Sequence, residues 1–546
     1  MNFSISFKKI KSIQEFFEKN TIYILIGILS IISTAYFLIY LYNGYGLSYN
    51  DARSHLDIGR RVVEGLKPGL AQIGSVWLPL PHLLMIPTIW NDTMWHTGLS
   101  GSLQSMISFV ATGIFIYLYL KKLGSGWLGA VVGTFVFAAN VNILYLQSIA
   151  MTELLLLAMT TIACYYLLLW TENEKIVDII KAAGFVMLAS LIRYDGWFLF
   201  LWAGLLLMIT TFKKTRGILT TNFKTRYKIT EGTVILYATL AGVGIALWFL
   251  WNLLIFKDPF YFAFGPFSAH AQQEQLLTAG NLATKGHLLL SIQTFLVAMF
   301  YNSYVAIVLI GILGAILLWS DKKIKSTTRI ISLALLAPLL FNIIALYFGH
   351  SVLFIQGING NTWFNVRYGI MLAPSIAIFC GYAVHKLRDL RWVIIGILVM
   401  TAFFAFVNRD AVTIDDATVG SSQKNVSEVS GWLFRNTKDT PGFVLISAAS
   451  HDAILFSSNL PMKKFIHEGT GEYWKAATMS PDRWARWIVL RTDDVNDLTF
   501  KELSDKAPHW REYYNLVRHY PFADIYELKP EYVSELHLKA DLKQVK

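Results

Sequence analysis

A short polar stretch, Tyr49 to His55, follows directly on the first long apolar run of the chain. It brings an acid, a base and an imidazole close together in sequence, as Asp51, Arg53 and His55. A carboxylate in this setting is suited to act as a general base that takes a proton from a hydroxyl group. An aspartate just before a helix is also a common N-cap, and the spacing favours neither function over the other.

Further ionisable residues occur where later apolar runs begin or break. Glu153 opens one run, and Arg193 and Asp195 interrupt another. A charge close to hydrocarbon is costly, so such residues usually belong to a functional site. The alternatives are that Glu153 is a first-turn carboxylate favoured by the helix dipole, and that Arg193 and Asp195 form a turn at the membrane surface.

Two more cations, Lys257 and Arg367, lie at the ends of apolar runs, and Tyr368 follows Arg367. A single cation in this position usually extends its charge to the membrane interface. Several cations at one face can instead neutralise a phosphate group, and arginine offers it two parallel donors. Together with Arg193, these residues predict a phosphate-binding site.

The elements that must position these residues are apolar runs of about 20 residues, the length that crosses a bilayer as a helix. The chain has 546 residues, of which 55% are hydrophobic and 15% charged, whereas soluble proteins have about 25% charged residues. The sequence therefore predicts an α-helical polytopic membrane protein with about eleven transmembrane helices. These runs are residues 21–42, 101–120, 126–146, 149–170, 179–193, 196–212, 232–256, 292–319, 330–349, 369–387 and 392–408.

The basic residues indicate how the helices are oriented. Of the 29 Lys and Arg in residues 1–408, 21 fall in the N-terminal segment and in alternate loops. Cytoplasmic loops carry such an excess, so the N-terminus is expected inside the cell and, with an odd number of helices, the C-terminal segment outside. The net charge of +11 thus reports topology, and no nucleic-acid partner is expected.

The character of the sequence changes at residue 409. Residues 442–447, 487–490, 513–519 and 523–528 predict strands, and residues 452–458 and 497–506 predict helices. We therefore expect two domains: a transmembrane catalytic domain at 1–408 and a small extracytoplasmic α/β domain at 409–546. The second has the size of an ordinary domain.

Several of these stretches, in this order and on this side of the membrane, resemble the polytopic GT-C glycosyltransferases. The resemblance is to the lipid-linked-sugar-dependent group that includes protein O-mannosyltransferases and the aminoarabinose transferases of lipid A. The stretches are the Asp51 loop, Trp77-Leu78-Pro79-Leu80-Pro81-His82, Thr152-Glu153, Arg193-Tyr194-Asp195-Gly196-Trp197, Asp258-Pro259-Phe260-Tyr261 and Arg367-Tyr368.

The resemblance implies an inverting transfer of a sugar, such as the hexose mannose, from a polyprenyl-phosphate or dolichyl-phosphate carrier in the bilayer. The acceptor would be a hydroxyl of a glycan, lipid or protein at the outer face. Asp51 would be the base, and Glu153 would position the sugar or the acceptor.

The remaining residues of the expected site bind the substrate and its phosphate. They are Arg53, His55, Arg193, Asp195, Lys257, Arg367 and Tyr368. Nothing in the spacing requires a cofactor, although a divalent metal held by Asp51, His55 and Glu153 is compatible with it.

The alternative class is a transporter or flippase of lipid-linked or small polar substrates. Such proteins place charges near the middle of their spans and carry paired broken helices in two repeated halves. Here the ionisable residues gather at one interface and no twofold repeat is visible. The pattern favours the enzyme.

The distribution of basic residues makes a prediction about topology. A reporter fused after Lys213 is expected to read cytoplasmic, and one fused after Arg409 extracytoplasmic, because the positive loops stay inside. The measurement is paired alkaline phosphatase and fluorescent protein fusions at both positions. An external reading after Lys213 would contradict the assignment of every residue above to the outer face.

Overall fold

The computed structural model describes residues 7–216, 222–265, 268–278, 280, 282–419, 423–491, 494 and 496–540. Within these ranges eight helices are long and apolar enough to cross a membrane. A ninth span results if one sharply bent helix pair is counted as a single crossing. The chain is therefore a polytopic membrane protein.

The long helices are joined by connections of different lengths, some of which contain shorter helices. The spans are Lys19–Tyr42, Leu99–Lys122, Glu153–Asn173, Asp195–Arg216, Phe223–Phe256, Ser326–Tyr347, Val366–Lys386 and Arg391–Val419, with Leu288–Ser303 and Val305–Ser320 as the bent pair. The shorter helices among them are Trp127–Ala138, Val141–Leu146, Ile176–Ser190, Tyr261–Phe264 and Ala269–Thr278.

All eleven expected runs are largely helical, but not all are single spans. The run at 126–146 is broken because the Asn140 side chain caps a new helix by accepting from the backbone N–H groups of Asn142 and Ile143. The run at 292–319 bends by 109° at Tyr304, whose φ is +64°. The expected number of eleven thus becomes eight or nine helices of spanning length in the described part of the chain.

The chain divides into two compact units that differ from the expected boundary at residue 408. The membrane unit comprises residues 1–45, 75–81 and 102–419, and the second unit comprises 46–74, 82–101 and 420–546. Residues beyond 408 stay with the membrane unit because Thr413 donates its backbone N–H and its hydroxyl to Asn142 at 3.0 and 2.9 Å.

Residues 46–74 and 82–101, nearly all of which lie between the first two spans, belong to the second unit because of local contacts. Gln72 donates to the carbonyl of Gly469 at 2.7 Å. The ring of Trp95 packs edge-on against Phe456 at 5.8 Å between centroids. These contacts tie residues 46–74 and 82–101 to the C-terminal segment.

The second unit contains a mixed sheet of five strands: β1 (Phe443–Ile446), β2 (Phe465–Ile466), β3 (Ala485–Leu490), β4 (Tyr514–His519) and β5 (Asp524–Leu528). Their order is β2-β1-β3-β5-β4. Strands β2 and β3 pair parallel to β1, while β5 pairs antiparallel to β3 and β4. The four strands expected from the sequence are present, and the two-residue β2 is additional.

Helices accompany this sheet. They are Asn50–Val63, Leu70–Ile73, Asp92–His96, Gln423–Thr437, Ala448–Ser457, Met462–Lys464, Glu468–Thr470, Glu472–Met479, Pro481–Trp484, Leu498–Lys506, Trp510–Glu512 and Pro530–Glu535, and Leu80–Ile89 runs into the unit from the membrane unit. Strands β1 and β3 are buried along nearly their whole length, as expected for parallel strands covered by helices. The small α/β domain is therefore confirmed.

Helix packing in the membrane unit depends on close glycine contacts. Gly129 and Gly133, four residues apart on one helix, meet Gly381 of Ala373–Lys386. A Cβ on Gly381 would lie 2.5 Å from the carbonyl oxygen of Gly129. Small residues at this spacing let helix backbones approach closely in membranes.

This contact predicts that Gly381→Ala destabilises the membrane unit by about 1–3 kcal/mol, because the new methyl group must push two backbones apart. Gly396→Ala is the matched control, since nothing lies within 4 Å of a Cβ there. The measurement is the midpoint of thermal unfolding in detergent. Equal midpoints for the two variants would contradict the packing argument.

Candidate active site

Glu153 is the centre of a buried cluster in the membrane unit. It is the first residue of helix Glu153–Asn173 and its side chain is fully buried. Its Oε1 accepts from Nε of Arg367 at 3.0 Å and from Nη1 of Arg193 at 3.2 Å. A buried carboxylate needs such partners, since an unpaired charge away from water is very costly.

A tight turn places Arg193 in this cluster. The turn joins helix Ile176–Ser190 to helix Asp195–Arg216. The turn can close tightly because residue 196 is a glycine: a Cβ there would lie 2.3 Å from the carbonyl oxygen of Ala189. Arg193 also donates to Asp195 at 3.3 Å and to the hydroxyl of Thr152 at 3.3 Å. The expected alternative of a simple surface turn does not describe these contacts.

The short helix Val366–Leu372 positions Arg367. Asn302 donates to the carbonyl of Val366 at 2.7 Å. Gly369 packs against Ala298 so closely that a Cβ would lie 2.3 Å from its carbonyl oxygen. Arg367 is therefore held against the bundle with its side chain only 6% exposed. A cation that extends to the interface would be exposed.

Tyr368 lies beside both guanidinium groups. Its ring centroid is 4.9 Å from the Cζ of Arg193 and 5.3 Å from the Cζ of Arg367. Cation–π contacts of this kind orient a guanidinium without using its N–H donors. We call Glu153, Arg193, Asp195, Arg367 and Tyr368 the arginine cluster.

The arginine cluster combines two cations with two carboxylates. The buried Glu153 Oε2 and Asp195 Oδ1 have no hydrogen-bond partner among the described residues. Each of these oxygens is suited to accept from a hydroxyl group of a polar ligand. The cluster therefore offers both donors and acceptors to such a ligand.

Lys257 makes a different kind of contact. It follows helix Phe223–Phe256 in the left-handed conformation and donates its ammonium group to the carbonyl of Leu254 at 3.1 Å. It is exposed. A lysine at a helix C-terminus commonly satisfies such carbonyls. The described contacts do not join Lys257 to the arginine cluster, and its role in binding stays a prediction.

Asp51, Arg53 and His55 lie on one helix of the second unit, Asn50–Val63. Tyr49 is the N-cap residue and Asp51 is the second residue of the helix. Asp51 therefore does not occupy the N-cap position itself. Arg53 is buried and donates to the side chain of Asn50 at 2.6 Å.

His55 contacts His82, the last residue of the proline-containing stretch Trp77–His82. Its Nδ1 lies 2.9 Å from Nε2 of His82, and both rings are buried. One ring must donate and the other accept in this contact. His82 was quoted for the resemblance but was not expected to belong to the site.

Two buried carboxyl groups accompany this helix. The hydroxyl of Ser54 contacts Asp452, and Asp57 is almost completely buried on the same helix. Burial raises the pKa of Asp452 to about 6. Burial, followed by the charge of Asp452, raises the pKa of Asp57 well above its ordinary value.

The structure thus places eight of the nine expected site residues in two groups, and Lys257 in neither. The arginine cluster contains five of them in the membrane unit, and Asp51, Arg53 and His55 share one helix in the second unit. Within the described ranges, no three His, Cys, Asp or Glu side chains are grouped as metal ligands.

Sequence reasoning missed Asp57 and Asp452. Asp57 lies three and seven residues after Ser54 and Asn50, on one helical face with them, so the spacing did carry a signal. Asp452 is far away in sequence and sits in an ordinary helical pattern, so no signal was available.

Solved structures of two other proteins resemble this chain. ArnT from Cupriavidus metallidurans bound to undecaprenyl phosphate has a TM-score of 0.56 and 10% identity over 92% of this chain and 98% of that one. The oligosaccharyltransferase of Archaeoglobus fulgidus in complex with Zn and sulfate has a TM-score of 0.50 and 13% identity over 90% and 71%. No protein-family model and no curated protein matches the chain.

These likenesses show that the chain has the GT-C fold, because both proteins are GT-C glycosyltransferases. They extend along nearly the whole length of ArnT, so they include the C-terminal domain as well as the helices. The fold expected from the sequence motifs is thereby confirmed.

The geometry of the arginine cluster predicts a strong dependence on Glu153. Glu153→Gln leaves two buried guanidinium groups without their shared anion and is expected to cost about 3–5 kcal/mol of unfolding free energy. Glu174→Gln is the matched control, because Glu174 follows the other end of the same helix and its ion pair with Lys214 is 73% exposed on the carboxylate side.

The control should change stability by less than about 1 kcal/mol. Both variants are compared by titration with SDS in mixed micelles. An unchanged stability in Glu153→Gln would show that the cluster is open to water and is not a buried ion network.

Proposed function

We propose that this protein is an inverting glycosyltransferase that takes its sugar from a polyprenyl-phosphate carrier. The proposal is supported by the GT-C fold, by the undecaprenyl phosphate bound to the similar ArnT, and by the arginine cluster. The acceptor is a hydroxyl group of a glycan, a lipid or a protein. The sugar is a hexose such as mannose, and the reaction takes place at the outer face of the membrane.

The arginine cluster is the single observation that carries this proposal. A guanidinium has five N–H donors, and Arg193 uses Nε and Nη1 for its described contacts. Its Nη2 is therefore left for a phosphate oxygen. Two arginines fixed by the same carboxylate present a rigid anion-binding surface beside a membrane helix, where the phosphate of a membrane lipid would bind.

The chemistry is a single displacement. The acceptor oxygen attacks the anomeric carbon, and the bond from that carbon to the phosphate oxygen breaks. Polyprenyl phosphate leaves with the bonding electron pair, and the acceptor proton passes to a base. Because one bond forms opposite the bond that breaks, the configuration inverts.

Arg367 and Arg193 stabilise the charge that grows on the departing phosphate, where a fixed donor is most effective. We assign Glu153 and Asp195 a second role beside that of holding the arginines. Their unpartnered oxygens accept hydroxyl groups of the sugar or of the acceptor. Tyr368 keeps the guanidinium planes oriented.

Asp51 is the base in this proposal. It is half-buried in the first turn of its helix. Arg53 and His55 belong to the same helix and are assigned to binding the substrate. Lys257 is assigned to the phosphate as an exposed cation that attracts it.

The proposal predicts that Asp51→Asn lowers turnover by roughly 10²–10⁴-fold, because the amide cannot accept the proton of the acceptor. The gene is deleted from the native cell, and mass spectrometry of the envelope identifies the glycoconjugate that is lost. Wild-type protein should restore this product, and Asp51→Asn should not, although it is inserted at the same level.

Asp92→Asn is the matched control, since Asp92 is another first-turn acid in the same unit but is mostly exposed. It should restore the product fully. Full restoration by Asp51→Asn would remove the base from the mechanism. An envelope unchanged by the deletion would contradict the proposed function itself.

A further inference from the structure

A residue of the C-terminal segment meets the helix that carries Asp51. Asp452 lies in helix Ala448–Ser457, and its Oδ2 contacts the hydroxyl of Ser54. Its Oδ1 accepts from the backbone N–H of Ala453 at 2.7 Å. Both carboxylate oxygens therefore have fixed partners.

The helix that carries Asp452 is itself held firmly. Ser447 caps it by accepting from the backbone N–H of Ser450. The carboxylate of Glu468 accepts from the first two N–H groups, those of Ala448 at 2.9 Å and Ala449 at 2.6 Å. The segment departs from helical geometry at His451 (φ −139°, ψ 31°), the residue before Asp452, and the Nε2 of His451 lies 2.6 Å from Oδ2 of Asp497. Contacts within the C-terminal segment thus fix the position of Asp452.

Several charged groups surround Asp452. Arg53 and Arg61 favour its ionised form, and the carboxyl groups of Asp51 and Asp57 oppose it. From the segment next to Glu468, His467 faces Arg61, and burial, then that cation, lowers the pKa of His467 to about 3. His467 is therefore neutral at physiological pH. The charged groups that influence the ionisation of Asp452 are thus the two arginines and the other two aspartates.

Ser54 makes this arrangement sensitive to the charge of Asp452. Its hydroxyl has one hydrogen but two acceptors, Asp452 and, at 3.2 Å, the carbonyl of Asn50. An ionised Asp452 takes this hydrogen. A protonated Asp452 would itself donate to Ser54, which would then donate to Asn50, the residue before Asp51.

We propose that Asp452 is a positioning residue, whose ionised carboxylate orients the first turn of helix Asn50–Val63 and with it Asp51. The inference rests on the proposed function, because Asp51 acts as the base there. The inference gives the C-terminal domain a role in the reaction. This domain supplies the carboxylate that orients the first turn of the helix on which the base lies.

Activity and stability should respond to pH in opposite directions. Burial raises the pKa of Asp452 to about 6, above that of an unfolded aspartate near 3.9. The folded state therefore prefers the protonated form, and this group adds stability as pH falls through about 6 towards the unfolded value. The rate of the reaction, in contrast, should fall over the same pH range, because protonation removes the ionised carboxylate that orients Asp51.

The test compares Asp452→Asn with wild type in membrane vesicles from the deletion cells, which contain the native donor lipids and acceptors. The rate is that of forming the glycoconjugate lost on deletion, measured from pH 5 to 8. The wild-type rate should fall as pH drops through about 6, towards a level roughly tenfold lower. Asp452→Asn should be roughly tenfold slower at pH 7.5 and lack this step.

Folding is checked by thermal unfolding at pH 7.5. Asp452→Asn should melt at the same temperature as wild type or higher, because it removes a buried charge. Glu468→Gln is the matched control: it weakens the cap of the same helix and should lower the melting temperature, but it should keep the step near pH 6.

Suppose that Asp452→Asn has the rate and pH profile of wild type, in vesicles in which Asp51→Asn is inactive. This result would overturn the inference and leave the proposed function intact. An active Asp51→Asn would instead remove the base from the proposed function. A lower melting temperature in Asp452→Asn with an unchanged pH profile would show a structural role only.

Discussion

The membrane unit depends on one constraint: charges at the edge of hydrocarbon must be paired before helices can pack around them. Burying a single carboxylate such as Glu153 would cost several kcal/mol or more. Two arginines from separate parts of the chain offset this cost, because both donate a hydrogen bond to the same oxygen, Oε1. The helices that carry these three residues therefore have little freedom to shift relative to one another.

That constraint accounts for features that otherwise look unrelated. Gly196 and Gly369 have no side chain because each packs against the backbone of another helix. Asn302 ties the carbonyl before Arg367 to the end of helix Leu288–Ser303, just ahead of the bend at Tyr304. These residues bring the guanidinium groups to Glu153, so a site for polar ligands and the helix packing have a common origin.

Apolar periodicity and loop charge predicted the membrane helices, because burial in lipid acts on every residue of a span. The strands of the α/β domain were equally visible as short apolar runs. The contacts of the site were not. Arg367 is 214 residues from Glu153 and Ser54 is 398 from Asp452, and pairing over such distances leaves no local pattern. The bend at Tyr304 was missed because the polar pair Asn302-Ser303 is short and has apolar runs on both sides.

The buried carboxyl groups of the second unit have different partners from those of the membrane unit. Glu153 has two cations within hydrogen-bond distance, whereas no partner within that distance is described for the carboxyl oxygens of Asp57. Burial raises the pKa of Asp57 well above its ordinary value and that of Asp452 to about 6. Buried carboxyl groups with raised pKa values are poorly suited to strengthening a fold. Their position on and beside the helix of Asp51 therefore fits the positioning role proposed above.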